Sequence, residues 1–335
     1  MHIGKSYKLS DFLIWTRRKI YILLILGALP VILYHILGIR WLVVPWNVVS
    51  LLGTATAFIV GFKNTQTYNR TWQAHGIWGN IDSSSRAWGI VCRDYLTDAA
   101  ATRTLLDRHF AWLTILRYQL REERVWEVAD SHHNAEYQQY YTIPERQTDL
   151  EKELSKYLST EDQAAISGAR NKATQLLSLQ NKFVKDIYST QALVPAQYLE
   201  MQRILNTLYS LQGQCESIKD TPYPRQYAII NTIFVRIFCF LLPFGMLQEF
   251  DKLDNIVTGV MKGHMIWLII PFSVIISWMY NALEQVGEST ENPFEGSAND
   301  VPISQLCRAI EIDLREMMGE QELPPPIKAQ NDILI

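Results

Sequence analysis

Residues 53–75 read "GTATAFIVGFKNTQTYNRTWQAH". The first ten are small and apolar, as inside a membrane helix. The remainder is dense in amides, aromatics and cations, which cannot sit in lipid without partners. A plain lipid anchor needs no such junction, whereas a pore entrance does. On a helix, residues four apart share a face. Gly53, Ala57 and Gly61 then form a ribbon of small residues that lets a neighbouring helix approach closely. Beside it run Thr54, Phe58 and Phe62. Two readings of the phenyl rings follow. They pack against lipid or their own bundle, or they meet around an axis as a hydrophobic constriction that holds back ions by dewetting. Ring edges turned to a pore favour anions; ring faces favour cations.

Outward from this stretch, apolar residues concentrate in two regions of the 335-residue chain, near 20–62 and 227–281. Four runs are long enough to cross a hydrocarbon core of about 30 Å. The first is Ile20 to Leu37, with a kink expected at Pro30, and the second is Trp41 to Phe62. The third is Tyr227 to Leu247, containing Arg236, and the fourth is His264 to Tyr280, with Pro271 inside. Trp41, Trp46, Trp267, Trp278 and Tyr280 near the proposed ends suggest an aromatic belt. The first run is too long for the core of a signal peptide, so it is read as retained.

Basic residues flank the first run (Lys5, Lys8, Arg17, Arg18, Lys19) and follow the second (Lys63, Arg70), placing those ends in the cytoplasm. Both termini are then cytoplasmic in a multi-pass inner-membrane protein. The fold class is all-α: four transmembrane helices plus a large cytosolic helical domain, assembled as a ring. The expected parts are a cytosolic segment 1–19, a first transmembrane hairpin 20–62, a cytosolic helical domain 63–226, a second hairpin 227–281 and a cytosolic segment 282–335. Within 63–226, helical periodicity marks residues 98–121 and 168–190, and Pro195 suits the first turn of a further helix. Residues 130–149 lack periodicity and read as an exposed excursion. His132 and His133 in it read as solvated rather than metal-bound. The run 319–335, interrupted by three prolines, reads as mobile or as an arm that wraps a neighbour or plugs an exit.

A net charge of −3 argues against a nucleic-acid partner. Cys92, Cys215, Cys239 and Cys307 form no CxxC pair and read as packed thiols. The motifs of hydrolases, zinc proteases and phosphate loops are missing, so the chain reads as no enzyme, with no cofactor and no metal. Arg70 either lines a vestibule or pairs with an acid of the cytosolic helices. His75 raises proton-sensitive conductance, against a silent surface imidazole. Glu311, Asp313 and Glu316 would enrich cations if they faced a vestibule.

Three stretches carry a resemblance. "GFKNTQTYNRTWQAHGIWG" (61–79) followed by "SSSRAW" (83–88) resembles the bestrophin pattern after the neck helix. "NTLYSLQGQCESIKDTPYPRQYA" (206–228) resembles the family's stretch before the third span, and "ISWMYNALEQVGESTENPFEGSANDVP" (276–302) its NPF-type turn after the fourth. The order and spread over nearly the whole chain make the set specific. The resemblance implies a homopentameric ion channel among membrane lipids, passing small monovalent ions. Eukaryotic members conduct chloride and other small anions and are opened by calcium, whereas some prokaryotic ones favour monovalent cations. The expected function is a passive channel with anions slightly favoured; the alternatives are a monovalent-cation channel or a non-conducting scaffold or receptor. The family's neck falls on Thr54, Phe58 and Phe62. Thr54 replaces a usually larger apolar residue, leaving the neck one ring shorter or wetter. The cytosolic constriction falls on Leu199, near Gln202 and Arg203; without the resemblance, Leu199 reads as a bundle core position. The calcium clasp would follow Asn292-Pro293-Phe294. There Ser297 and Asn299 stand where carboxylates are expected, leaving Glu295 and Asp300, so calcium gating is not expected. Thr71 before Trp72 and Ala74-His75 also depart from the family pattern.

Overall fold

The computed structural model describes residues 1–5, 7–127 and 138–335; His132 and His133 lie outside them. Among the described residues there are helices, turns and two isolated β-bridges. α1 (Leu9–His35) runs unbroken through Pro30 and begins well before Ile20. α2 (Trp46–Tyr95) is one helix of 50 residues. The expected boundary at Phe62/Lys63 therefore falls inside it. At 1.5 Å per residue α2 spans about 75 Å, more than twice a hydrocarbon core.

α3 (Ala99–Arg121) starts where the Asp98 side chain accepts the Ala100 N–H. Three short helices follow: α4 (Pro144–Gln147), α5 (Leu150–Leu154) and α6 (Thr160–Ser167). α7 (Lys172–Ser189) is capped by Asn171, whose side chain accepts from Thr174 N at 3.0 Å. α8 (Pro195–Asp220) has proline at its first position, where the missing N–H is harmless. α9 (Arg225–Asp254) extends into the loop expected after Leu247. α10 (Ile269–Ser289) carries Pro271 in its first turn, and α11 (Ile303–Met317) closes the helical order.

α1, α9, α10 and the first half of α2 are long and apolar enough to cross a membrane. They pack through small and polar residues. A Cβ on Gly27 would lie 2.8 Å from Ser273 Oγ, and one on Gly245 2.7 Å from Val49 Cγ2. Trp278 Nε1 donates to Thr16 Oγ1 (2.9 Å), and Tyr280 OH to the Gly53 carbonyl (3.0 Å). Those two aromatics of the expected belt thus bind neighbouring helices through their polar atoms. The second half of α2 enters a separate core with α3, α7, α8 and α11, where Trp78, Trp88 and Trp112 are fully buried. The four cysteines are buried free thiols.

Two expected loose segments are anchored. Tyr141 and Ile143 of the supposed excursion are buried with Ile333 and Ile335 of the C-terminal run. Leu334 N donates to the Met1 carbonyl at 2.9 Å and Gln305 N to the Ile335 carbonyl at 2.8 Å. The branched side chains at 333 and 335 supply the apolar area that the prolines at 324–326 lack.

Candidate ion pathway

Thr54, Phe58 and Phe62 lie on one exposed face of α2, the two rings 66% and 69% exposed. Thr54 Oγ1 bonds back to the Ser50 carbonyl (3.0 Å), which satisfies its hydroxyl within the helix. The small-residue ribbon divides. Gly53 is filled by Phe238 of the same chain, 2.7 Å from where a Cβ would be, while nothing lies within 4 Å of Gly61. Gly53, Ala57 and Gly61, with Thr54, Phe58 and Phe62, line an open groove of about 700 Å³ against α9 and α10. Only 22% of the apolar stretch of α2 is buried within the chain, against 44% for α9.

Below the apolar half, polar residues of α2 bind the turns that enter and leave the second hairpin. Lys63 and Glu291 form a buried ion pair at 3.3 Å, with Arg225 at 3.5 Å from the same carboxylate. Asn64 Nδ2 donates to the Leu283 carbonyl (3.0 Å) and Thr71 Oγ1 to the Thr290 carbonyl (3.0 Å). Arg70 does not meet an acid directly. Its Nη2 donates to the Ile218 carbonyl (2.6 Å) and the Thr221 carbonyl. Those oxygens lie at the C-terminal end of α8, which carries partial negative charge. Arg70 therefore ties α2 to α8.

His75 is half-buried near Trp72, and burial lowers its pKa against the opposing charge of Asp300. It titrates below the ordinary range rather than as an exposed imidazole. Leu199 is 65% exposed near the start of α8 and is not a core residue of this chain. Arg203 beside it is paired with Glu200 at 2.6 Å.

The turn after α10 is built around Asp300. Its buried carboxylate accepts N–H bonds from Phe294 (2.8 Å), Gly296 (2.7 Å) and Val301 (2.6 Å), and from Arg121 Nη1 (2.7 Å). Phe294 and Gly296 both have positive φ, 76° and 90°; the three N–H bonds hold that turn. An oxygen set already accepting four donors has little left for a hard cation. Two of the acids of α11 are also engaged. Glu311 meets Arg308 and Arg315, and Asp313 bonds Arg86 at 2.7 Å.

Over residues 15–316 the chain matches the family described as Bacterial/Fungal Bestrophin protein. It belongs to that family. This bestrophin is 27% identical, over 294 residues, to the voltage-dependent anion channel-forming protein YneE of Escherichia coli K12, covering 88% of this chain and 83% of that protein. A Ralstonia nicotianae protein with the same description, RSc3414, is 26% identical over 302 residues, covering 88% and 86%. The crystal structure of a bacterial bestrophin homolog from Klebsiella pneumoniae superposes with a TM-score of 0.75 at 24% identity, covering 91% of this chain and 99% of that one. The bestrophin fold and the four apolar helices make this a membrane protein.

Sequence reasoning missed Lys63–Glu291 and the role of Asp300. The signal for Lys63 was present: a lysine one residue after an apolar run must reach water or an acid. Its choice of an acid 228 positions away was not legible.

Proposed function

We propose that this bestrophin is a passive anion channel. Several copies, five by family resemblance, stand with α2 around a common axis, and Thr54, Phe58 and Phe62 form the neck. The observation that carries the reading is the face itself. Two phenylalanines stand exposed beside Thr54, Gly61 and a groove that the chain does not fill. Lipid gains nothing from small and hydroxyl residues there, whereas a close-packed second copy does. The relatives' description as anion channel-forming proteins supports the ion class. So does the pairing of Glu311 and Asp313, whose charge is locally neutralised and attracts few cations. In this arrangement both termini face the cytoplasm from the inner membrane. Leu199 narrows the cytosolic exit, Arg70 couples the neck helix to α8, and His75 borders the same passage. Transport needs no catalytic step and no cofactor.

The test is chloride flux from liposomes holding the purified protein, with reversal potentials in asymmetric salt. Flux should be rapid and chloride-favouring. Phe62→Trp should abolish it while the oligomer survives gel filtration. Intact oligomers with no flux in any gradient would overturn the channel reading; reversal toward the sodium potential would overturn the anion assignment.

A further inference from the structure

A cavity of about 220 Å³ lies where the membrane bundle meets the cytosolic turn. Phe12 and Trp15 of α1 and Val286 and Ser289 of α10 form one side, and Ser297 to Asn299 with Tyr141 form the other. The Phe12 ring and the Trp15 backbone are held by neighbouring residues. Phe12 meets Trp278 edge-on at 5.8 Å, and the Trp15 carbonyl accepts from Gln285 Nε2 at 3.3 Å.

The lining defines the chemistry of an occupant. Among the described residues it contains no acidic or basic side chain. A charged ligand would lose its water there without gaining a counter-ion. Its aromatic walls suit a flat apolar ring in stacked or edge contact. Three of its four hydroxyls, those of Tyr141, Ser289 and Ser297, have already committed their protons. Tyr141 OH donates to the Gly296 carbonyl (3.0 Å), Ser289 Oγ to the Val286 carbonyl (2.9 Å) and Ser297 Oγ to the Ser289 carbonyl (3.4 Å). What these three oxygens still offer is lone pairs, which suit an occupant that brings an N–H or O–H; the carboxamides of Gln138 and Asn299 complete the polar lining. Size sets the last limit. An apolar cavity of about 150 Å³ holds benzene, so this one has room for a bicyclic ring.

We propose that this cavity is a binding site for a small uncharged aromatic molecule carrying one N–H or O–H donor, of the size of indole. Bound there, the ligand bridges α1, α10 and the Asp300 turn, and so ties the membrane bundle to the cytosolic domain. The site stands apart from the neck and its test does not depend on ion flux.

The test is calorimetric titration of indole into full-length protein in lipid nanodiscs, with empty nanodiscs subtracted for partitioning. Indole should bind saturably, at one site per chain. Benzofuran, equal in shape but without a donor, should bind at least tenfold more weakly. Ala298→Leu, which fills the cavity, should abolish the saturable component. Tyr141→Phe, which removes one acceptor, should weaken indole at least threefold and leave benzofuran unchanged; it serves where Ala298→Leu does not fold. Absence of a saturable component in the native protein overturns the proposal. So does equal affinity for indole and benzofuran, or indole binding unchanged in both variants.

Discussion

The two halves of α2 sit in environments that sort side chains differently. In the cytosolic half, Ile77, Trp78, Ile81 and Trp88 are buried, as the hydrophobic effect requires in water. In the membrane half, Gly53 and Thr56 are buried beside Val49 and Val60, while Leu51, Phe58 and Phe62 are exposed. The bundle around it shows the same mixture, with Thr16, Ser273, Ser277 and Asn281 inside beside Leu23, Leu242 and Leu247, and Ile22, Ile25, Phe240 and Ile275 outside. Lipid tails are as apolar as leucine, so nothing drives leucine inward; close backbone approach and hydrogen bonds hold such helices together. Exposure therefore means different things at the two ends of one helix. An exposed phenylalanine in the membrane half is ordinary by itself. It marks a pathway only beside Thr54, Gly61 and an unfilled groove.

The largest test of this contrast falls on the cytosolic side. Asp300→Ala leaves the buried Arg121 guanidinium without its closest carboxylate and strands three backbone N–H groups. Unfolding by denaturant should show a loss of about 3–5 kcal/mol. A loss below about 1 kcal/mol would mean that Glu145, at 3.9 Å from Arg121, suffices.

In the membrane half the sensitive residues are small. Gly245→Ala drives a Cβ into Val49 and should cost about 1–3 kcal/mol. Val49→Ala in the same chain should restore most of it. Gly61→Ala meets nothing within the chain, so any loss of assembly on that change would report a second copy in the groove.

Acid should act on the cytosolic core through His109. This imidazole is fully buried without a hydrogen-bond partner, and desolvation pushes its pKa down to about 3. Below pH 6.5 the unfolded chain binds a proton that the folded one refuses. Stability is thus complete above 6.5 and falls with pH through the window down to about 3. Between pH 7 and 5.5 the loss should be about 1 kcal/mol. In His109→Leu the urea midpoint should vary less over that range; an identical slope would remove His109 as the cause.

The smallest stability effect belongs to the neck. Phe62→Ala should change unfolding by less than about 0.5 kcal/mol, as expected of an exposed position, while chloride flux rises. A loss of several kcal/mol would place the ring in a packed interface instead.

Much of this was legible because it is local. Four apolar runs, the helical stretches at 98–121 and 168–190, and the shared face of Thr54, Phe58 and Phe62 depend on spacing within a few turns. The family motifs are local strings too. The continuity of α2 was hidden by the polar residues after Phe62, which read as a boundary but are accommodated by turns elsewhere in the chain. The C-terminal run was misread because its prolines speak against a helix and say nothing about docking.

By itself, then, the amino-acid order determined which segments are helical, which are long enough to cross lipid, and which face of α2 presents its rings, since each follows from periodicity and transfer free energy along the chain. Only the tertiary structure decided that Arg70 meets the end of α8, that Lys63 meets Glu291, and that Asp300 gathers its own turn and Arg121. Those choices bring together groups some 150 to 230 positions apart. A charge or an orphan donor in the sequence announces that it needs a partner, and packing selects which one.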